Sequence, residues 1–128
     1  MNITFLDSST VTRGDIDFSG FEKFGNFTHY AETSPGEVSA RCLGQQVIVT
    51  NKVILDSEIM ASLPDLQLIL VAATGVNVVD LAAARAHEVV VCNVAGYSTP
   101  SVAQHAASLL LALCTKVHRL APEYAKWP

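Results

Sequence analysis

Three short stretches bring together residue types that can act on a small molecule: Ala73-Thr74-Gly75-Val76-Asn77, Thr50-Asn51-Lys52, and residues 93–100 with Ser98 and Thr99. Each follows an apolar run. Thr74-Gly75 offers backbone N–H groups outside any strand ladder, and Gly75 lets a small anion come close to them. A glycine there serves equally as the positive-φ residue of a βα turn, and the residues leave both readings open. Lys52 is either a cation for an acidic ligand or an ordinary exposed lysine. Asp80 is more simply a helix N-cap than a catalytic carboxylate. None of the seven glycines forms G-x-G-x-x-G; Gly20 and Gly25 have P-loop spacing, but Asn26-Phe27 follow where Lys and Ser or Thr are required. His29, His87, His105 and His118 show no metal-ligand spacing, so no metal is expected. Ser98 and Ser101 lack a G-x-S-x-G elbow.

The elements that must position these loops alternate between strand and helix. Apolar, β-branched runs predict strands over 3–6, 27–31, 46–50, 66–72 and 89–92, the last two of the continuously buried type. Residues 14–25 read as helix or loop. Ser34-Pro35-Gly36-Glu37 has the make-up of a helix start, with Ser34 as N-cap and Glu37 completing a capping box. Asp56 and Asp80 cap short helices over 56–63 and 80–87. Residues 101–119 form a long Ala- and Leu-rich helix. This alternation implies an α/β fold, a parallel sheet with helices on both faces, followed by the long helix. Ligands of such sheets sit beyond the carboxyl ends of the strands, where all three loops gather.

With 128 residues the chain has the length of one domain, and half of its residues are hydrophobic, which favours a packed core over disorder. A net charge of −4 and the absence of any basic run argue against nucleic acid and anionic membrane as partners. No apolar run is longer than that at residues 109–114, far short of a bilayer span. Cys42, Cys92 and Cys114 include no C-x-x-C pair, and the chain starts without a signal-like segment; a cytoplasmic protein with reduced thiols is expected.

Longer motifs carry a resemblance. VIVTNKVIL (47–55), LPDLQLILVAATGVNVVDLAAAR (63–85) and VVVCNVAGYSTPSVAQHAASLLLAL (89–113) are similar to the NAD-dependent D-isomer-specific 2-hydroxyacid dehydrogenases, within them the glycerate dehydrogenase (hydroxypyruvate reductase) group. The pattern A-T-G-x-N-x-V-D followed by C-N-V-x-G-Y-S-T-x-S-V-A-Q-H is long and specific. Ala95 departs from it, standing where the family commonly has proline. The resemblance covers most of the chain and is weak over the first 40 residues.

The resemblance implies two α/β domains with a cleft between them, the amino-terminal one an α/β flavodoxin-like parallel sheet with helices on both faces, followed by a long interdomain helix. Residues 1–97 correspond to the substrate (catalytic) domain, 98–119 to a hinge and the helix crossing into the NAD domain, and 120–128 to the start of the NAD-binding region. It further implies that Thr74 and Gly75 hold the substrate carboxylate, that Asn51 and Lys52 line the substrate side, and that Val102 packs near the nicotinamide, with Ser98 and Thr99 nearby. The expected cofactor is NAD, with NADP open. The partners are a 2-keto or D-2-hydroxy acid and a second copy in a homodimer. The family's G-x-G-x-x-G loop, catalytic arginine and glutamate–histidine pair lie downstream of the crossing helix. Arg41, Arg85 and Arg119 have no matching context, so this chain is an amino-terminal portion with no catalytic residue of its own. The alternative is a stand-alone flavodoxin-like binding module without chemistry. A receiver domain fits less well, because only Asp7 follows the first strand.

Overall fold

The computed structural model describes residues 1–126; Trp127 and Pro128, part of the expected start of an NAD-binding region, lie outside the described residues. The chain divides into two compact units, Met1–Ala95 and a second from Gly96 on.

The first unit is built on five parallel strands: β1 (Asn2–Phe5), β2 (Asn26–His29), β3 (Val47–Thr50), β4 (Leu68–Val71) and β5 (Val90–Asn93). Their spatial order is β2-β1-β3-β4-β5, with Ile48 opposite Thr4 on one side and Ile69 on the other. Three short helices connect them, α1 (Val38–Cys42), α2 (Ser57–Ala61) and α3 (Leu81–Ala86). The fold class read from the sequence is therefore the one observed.

The sheet's two faces are covered unevenly. On one, Leu6, Ile48 and Ile69 pack with Val38, Met60 and Ala84 from the three α-helices. On the other, Ile3, Phe5, Val47 and Val49 lie under Phe18 and Phe21, which flank and belong to a 3₁₀ segment, Ser19–Phe24. That segment is the stretch the sequence left as helix or loop. Its rings meet Phe5 edge-on at 5.6 Å (Phe18) and stack on Phe27 at 4.8 Å (Phe21), so aromatic area does the covering that a full helix would otherwise do. Cys42 has no exposed surface in the first core, and burial pushes its thiol up to about 12, while Cys92 and Cys114 are exposed.

Local chemistry sets the helix starts as expected. The Asp56 carboxylate accepts from Ile59 N at 2.9 Å, and the Asp80 carboxylate from Ala82 N and Ala83 N at 3.0 and 2.9 Å. Glu37 accepts from Ser34 N and Ser34 Oγ, which holds its carboxyl below the usual carboxylate range. The helix begun at Ser34 opens as a 3₁₀ turn, Pro35–Glu37, before α1. Two expectations are corrected. The strand at 89–92 is not of the buried type: β5 is the sheet's edge, and Val90 remains 57% exposed. The second strand runs Asn26–His29 instead of 27–31, because Tyr30 N and Tyr30 O already bond to Phe5 O and Ser8 N beyond the strand end.

In the second unit, α4 spans Thr99–Thr115 and α5 Val117–Leu120, followed by a 3₁₀ segment, Ala121–Lys126. The single helix expected over 101–119 thus starts two residues earlier, with Pro100 in its first turn where the missing N–H costs nothing. It breaks at Lys116, which adopts a left-handed conformation (φ 56°). Leu109, Leu110, Leu111 and Leu113 of α4 are all exposed.

Candidate functional site

The loops after β3 and β4 stand side by side because their strands are neighbours in register, with Thr50 opposite Val71. The chain stitches them together beyond the strands. Leu55 pairs with Val79, its N–H donating to Val78 O at 2.8 Å and its carbonyl accepting from Asp80 N at 3.0 Å. The sheet edge therefore presents a joined pair of turns, 51–55 and 73–79.

In the turn after β4, Thr74 and Gly75 are exposed. Among the described residues, neither amide N–H has a protein acceptor. The backbone is nonetheless held. Asn93 Nδ2, at the end of β5, donates to Thr74 O at 2.7 Å, and Val94 N donates to Ala73 O at 3.0 Å. Gly75 is not in the left-handed region, which removes the reading that a glycine is needed here for a positive φ. A Cβ at Gly75 would meet only Asn77 Oδ1, at 3.1 Å, the far end of a flexible side chain. What glycine leaves at this position is open space on the same turn as two free amides.

The turn after β3 is the opposite case. Asp7, just past β1 and only 3% exposed, accepts from Asn51 N through Oδ1 at 2.9 Å and from Lys52 N through Oδ2 at 2.6 Å. Thr10 Oγ1 donates to Asp7 O at 2.7 Å and accepts from Asn51 Nδ2 at 2.9 Å. Asn51 is thereby turned inward, 8% exposed, with its side-chain amide engaged within the chain. Lys52 is exposed and lines a cavity of about 550 Å³ whose other walls include Asp7, Thr10, Glu32, Val38 and Ile54. Thr74 and Gly75 do not line that cavity. The structure thus brings Asn51, Lys52, Thr74 and Gly75 to one sheet edge but gives them different surroundings.

Of the residues in the second unit, Ser98 precedes α4 and its carbonyl accepts from Val102 N at 2.9 Å; Thr99 is the first residue of α4, and Val102 is 63% exposed. Among the described residues, no three His, Cys, Asp or Glu side chains gather to hold a metal, and no helix is long and apolar enough to cross a membrane.

The D-isomer specific 2-hydroxyacid dehydrogenase catalytic-domain model matches residues 7–126. The chain belongs to that family. A putative 2-hydroxyacid dehydrogenase of Haemophilus influenzae is 39% identical over 114 residues, covering 88% of this chain and 36% of that protein. A hydroxypyruvate reductase of Blautia hydrogenotrophica is 35% identical over 132 residues, covering 99% of this chain and 41% of that protein. Among solved structures, the NAD-dependent formate dehydrogenase of Staphylococcus aureus in complex with NAD superposes with a TM-score of 0.73 at 26% identity, covering 100% of this chain and 43% of that chain. The chain therefore spans well under half the length of the relatives it matches. The D-2-hydroxyacid dehydrogenase chain carries the 73–80 and 92–105 motifs on the loops just described, which is why they were legible as motifs before any geometry was known. Asp7, Thr10 and the donor role of Asn93 were not. Their partners lie 44, 41 and 19 residues away, and no local pattern announces such distant pairings.

Proposed function

We propose that this D-2-hydroxyacid dehydrogenase chain is the amino-terminal, substrate-binding portion of an enzyme that interconverts a 2-keto acid, of the hydroxypyruvate or glyoxylate kind, and a D-2-hydroxy acid. The observation that carries the reading is the pair of acceptor-free amides at Thr74 and Gly75, on a backbone fixed by Asn93. A substrate carboxylate seated there gains charge-assisted bonds worth about 1.5–3 kcal/mol each and leaves its C2 projecting from the sheet edge. Lys52 supplies the nearby positive charge, and Asn51 holds the adjoining turn in shape. On this reading residues 1–97 are the substrate domain, 98–119 the hinge and crossing helix, and 120–128 the start of the cofactor region.

A nicotinamide cofactor, NAD with NADP open, supplies the hydride when bound. The residues of this chain fit only the apolar face of its ring, through the exposed Val102 on the first turns of α4. A G-x-G-x-x-G motif is not among them, and on this reading the chain supplies substrate binding and no catalytic residue. The cytoplasm is the compartment that suits three thiols without a C-x-x-C pair.

An amide-resolved NMR titration with D-glycerate tests the site. Saturable shifts at Thr74 and Gly75, with no turnover of NADH and hydroxypyruvate by the chain alone, are expected. Silence at those two amides up to high millimolar D-glycerate would remove the reading.

A further inference from the structure

We propose that Asp7 is a positioning residue that fills the amide pair after β3 as an internal anion, so that a substrate carboxylate finds only one open pair, at Thr74 and Gly75. The proposal rests on the substrate reading above and extends it to a residue outside the family motifs.

The two turns at this edge each carry a pair of consecutive amides, directly after β3 at Asn51 and Lys52 and three residues past the end of β4 at Thr74 and Gly75. Each leaves a strand of the same parallel pair and presents consecutive backbone N–H groups beyond the ladder. After β4 the pair is open. After β3 both N–H groups donate to one carboxylate, Asn51 N to Oδ1 at 2.9 Å and to Oδ2 at 3.2 Å, and Lys52 N to Oδ2 at 2.6 Å. An external carboxylate would use the same two-oxygen, two-amide arrangement, so Asp7 stands where a ligand anion would otherwise sit. No Lys, Arg or His side chain is within ion-pair distance of Asp7 among the described residues. A buried carboxylate without a cation partner is a costly way to stabilise a fold, and an apolar or neutral side chain would serve packing more cheaply. Its oxygens do, however, accept from two successive amides at once, as an external carboxylate would. Thr10 adds the third fixed point: its hydroxyl joins Asp7 O to Asn51 Nδ2, locking the turn that carries Lys52.

The consequence is orientational. Two open amide pairs on neighbouring turns would let a small carboxylate dock in two places, only one of which presents C2 correctly. With one pair filled internally, a single pose remains.

Asp7→Ala in the full 128-residue chain opens the second pair. Formate and D-glycerate then produce saturable amide shifts at Asn51 and Lys52 that are absent in the unsubstituted chain, and formate raises the unfolding temperature of the variant by more than it raises that of the original. Filling of a merely structural hole would show neither anion-selective effect. Asn51 and Lys52 amides that ignore formate in the folded variant overturn the proposal, as would their responding in the unsubstituted chain. Failure of Thr74 and Gly75 to respond in the unsubstituted chain counts against the substrate reading instead. Should Asp7→Ala not fold, Asp7→Asn keeps the volume but turns one acceptor into a donor. About tenfold faster hydrogen exchange at one of the two amides, against an unchanged core, is then expected; unchanged exchange at both overturns the proposal.

Discussion

Gly75 shows how a residue's role changes once its backbone is known. With φ outside the left-handed region, its conformation is one that alanine adopts freely. Gly75→Ala should therefore shift stability by no more than about 0.5 kcal/mol, the usual range for exposed sites, since only the tip of Asn77 must move. Its added methyl takes up open space on the turn that carries the free amides, so the D-glycerate response at Thr74 should weaken by about tenfold or more. Urea unfolding and the NMR titration together decide it; an alanine variant that binds as the parent does would show that the open space is irrelevant. The residue types at this edge were legible in the sequence because the T-G pair and the N-V run are contiguous. The inward turn of Asn51 was not, because the acceptor that draws it in, Thr10, lies 41 residues earlier in the chain.

At the scale of elements, the most readable features were those decided within one turn. Asp56 and Asp80 cap the helices they were expected to cap, since an N-cap needs only its own carboxylate and the next two or three amides. Asp80→Ala should destabilise the chain by about 1 kcal/mol, visible as a lower urea midpoint at unchanged slope, with exchange quickening first at Ala82 and Ala83. An unaltered midpoint would mean that α3 is held by the packing of Ala84 alone. Features decided across the sheet were less readable. The run at 89–92 has the composition of a central strand, yet its place at the edge leaves Val90 exposed, and composition carries no information about which strands end up outermost. Likewise the break at Lys116 interrupts an apolar sequence that, by propensity alone, continues as helix to 119.

For the molecule as a whole, the apolar surface of α4 governs behaviour in solution. Leu109, Leu110, Leu111 and Leu113, each more than half exposed, join Val102 on α4, a helix with no buried residue. Surface of this kind marks association sites, and burial is worth about 25 cal/mol per Å². Homodimerisation through α4 is the expected outcome, with Ala103, Ala106 and Ala107 allowing close helix approach, offset in part by the entropy of association. Light scattering coupled to size exclusion at micromolar concentration should show a mass rising toward twice 13.7 kDa. A sharp monomer peak that persists on concentrating would dismiss it. The parallel topology followed from the alternation of elements, whereas the strand order β2-β1-β3-β4-β5 is carried by no local pattern and was implied only by the flavodoxin-like resemblance.

The placement of the three thiols has a practical meaning of its own. Cys92 and Cys114 face solvent, while Cys42 is sealed in the first core with its thiolate strongly disfavoured. A neutral, enclosed thiol reacts only in the moments when the sheet lifts away from α1, whereas its two siblings react at once. The chain thus carries a clock together with its own reference: the lag between the second and third alkylation event times the opening of the core, molecule by molecule, without any added label.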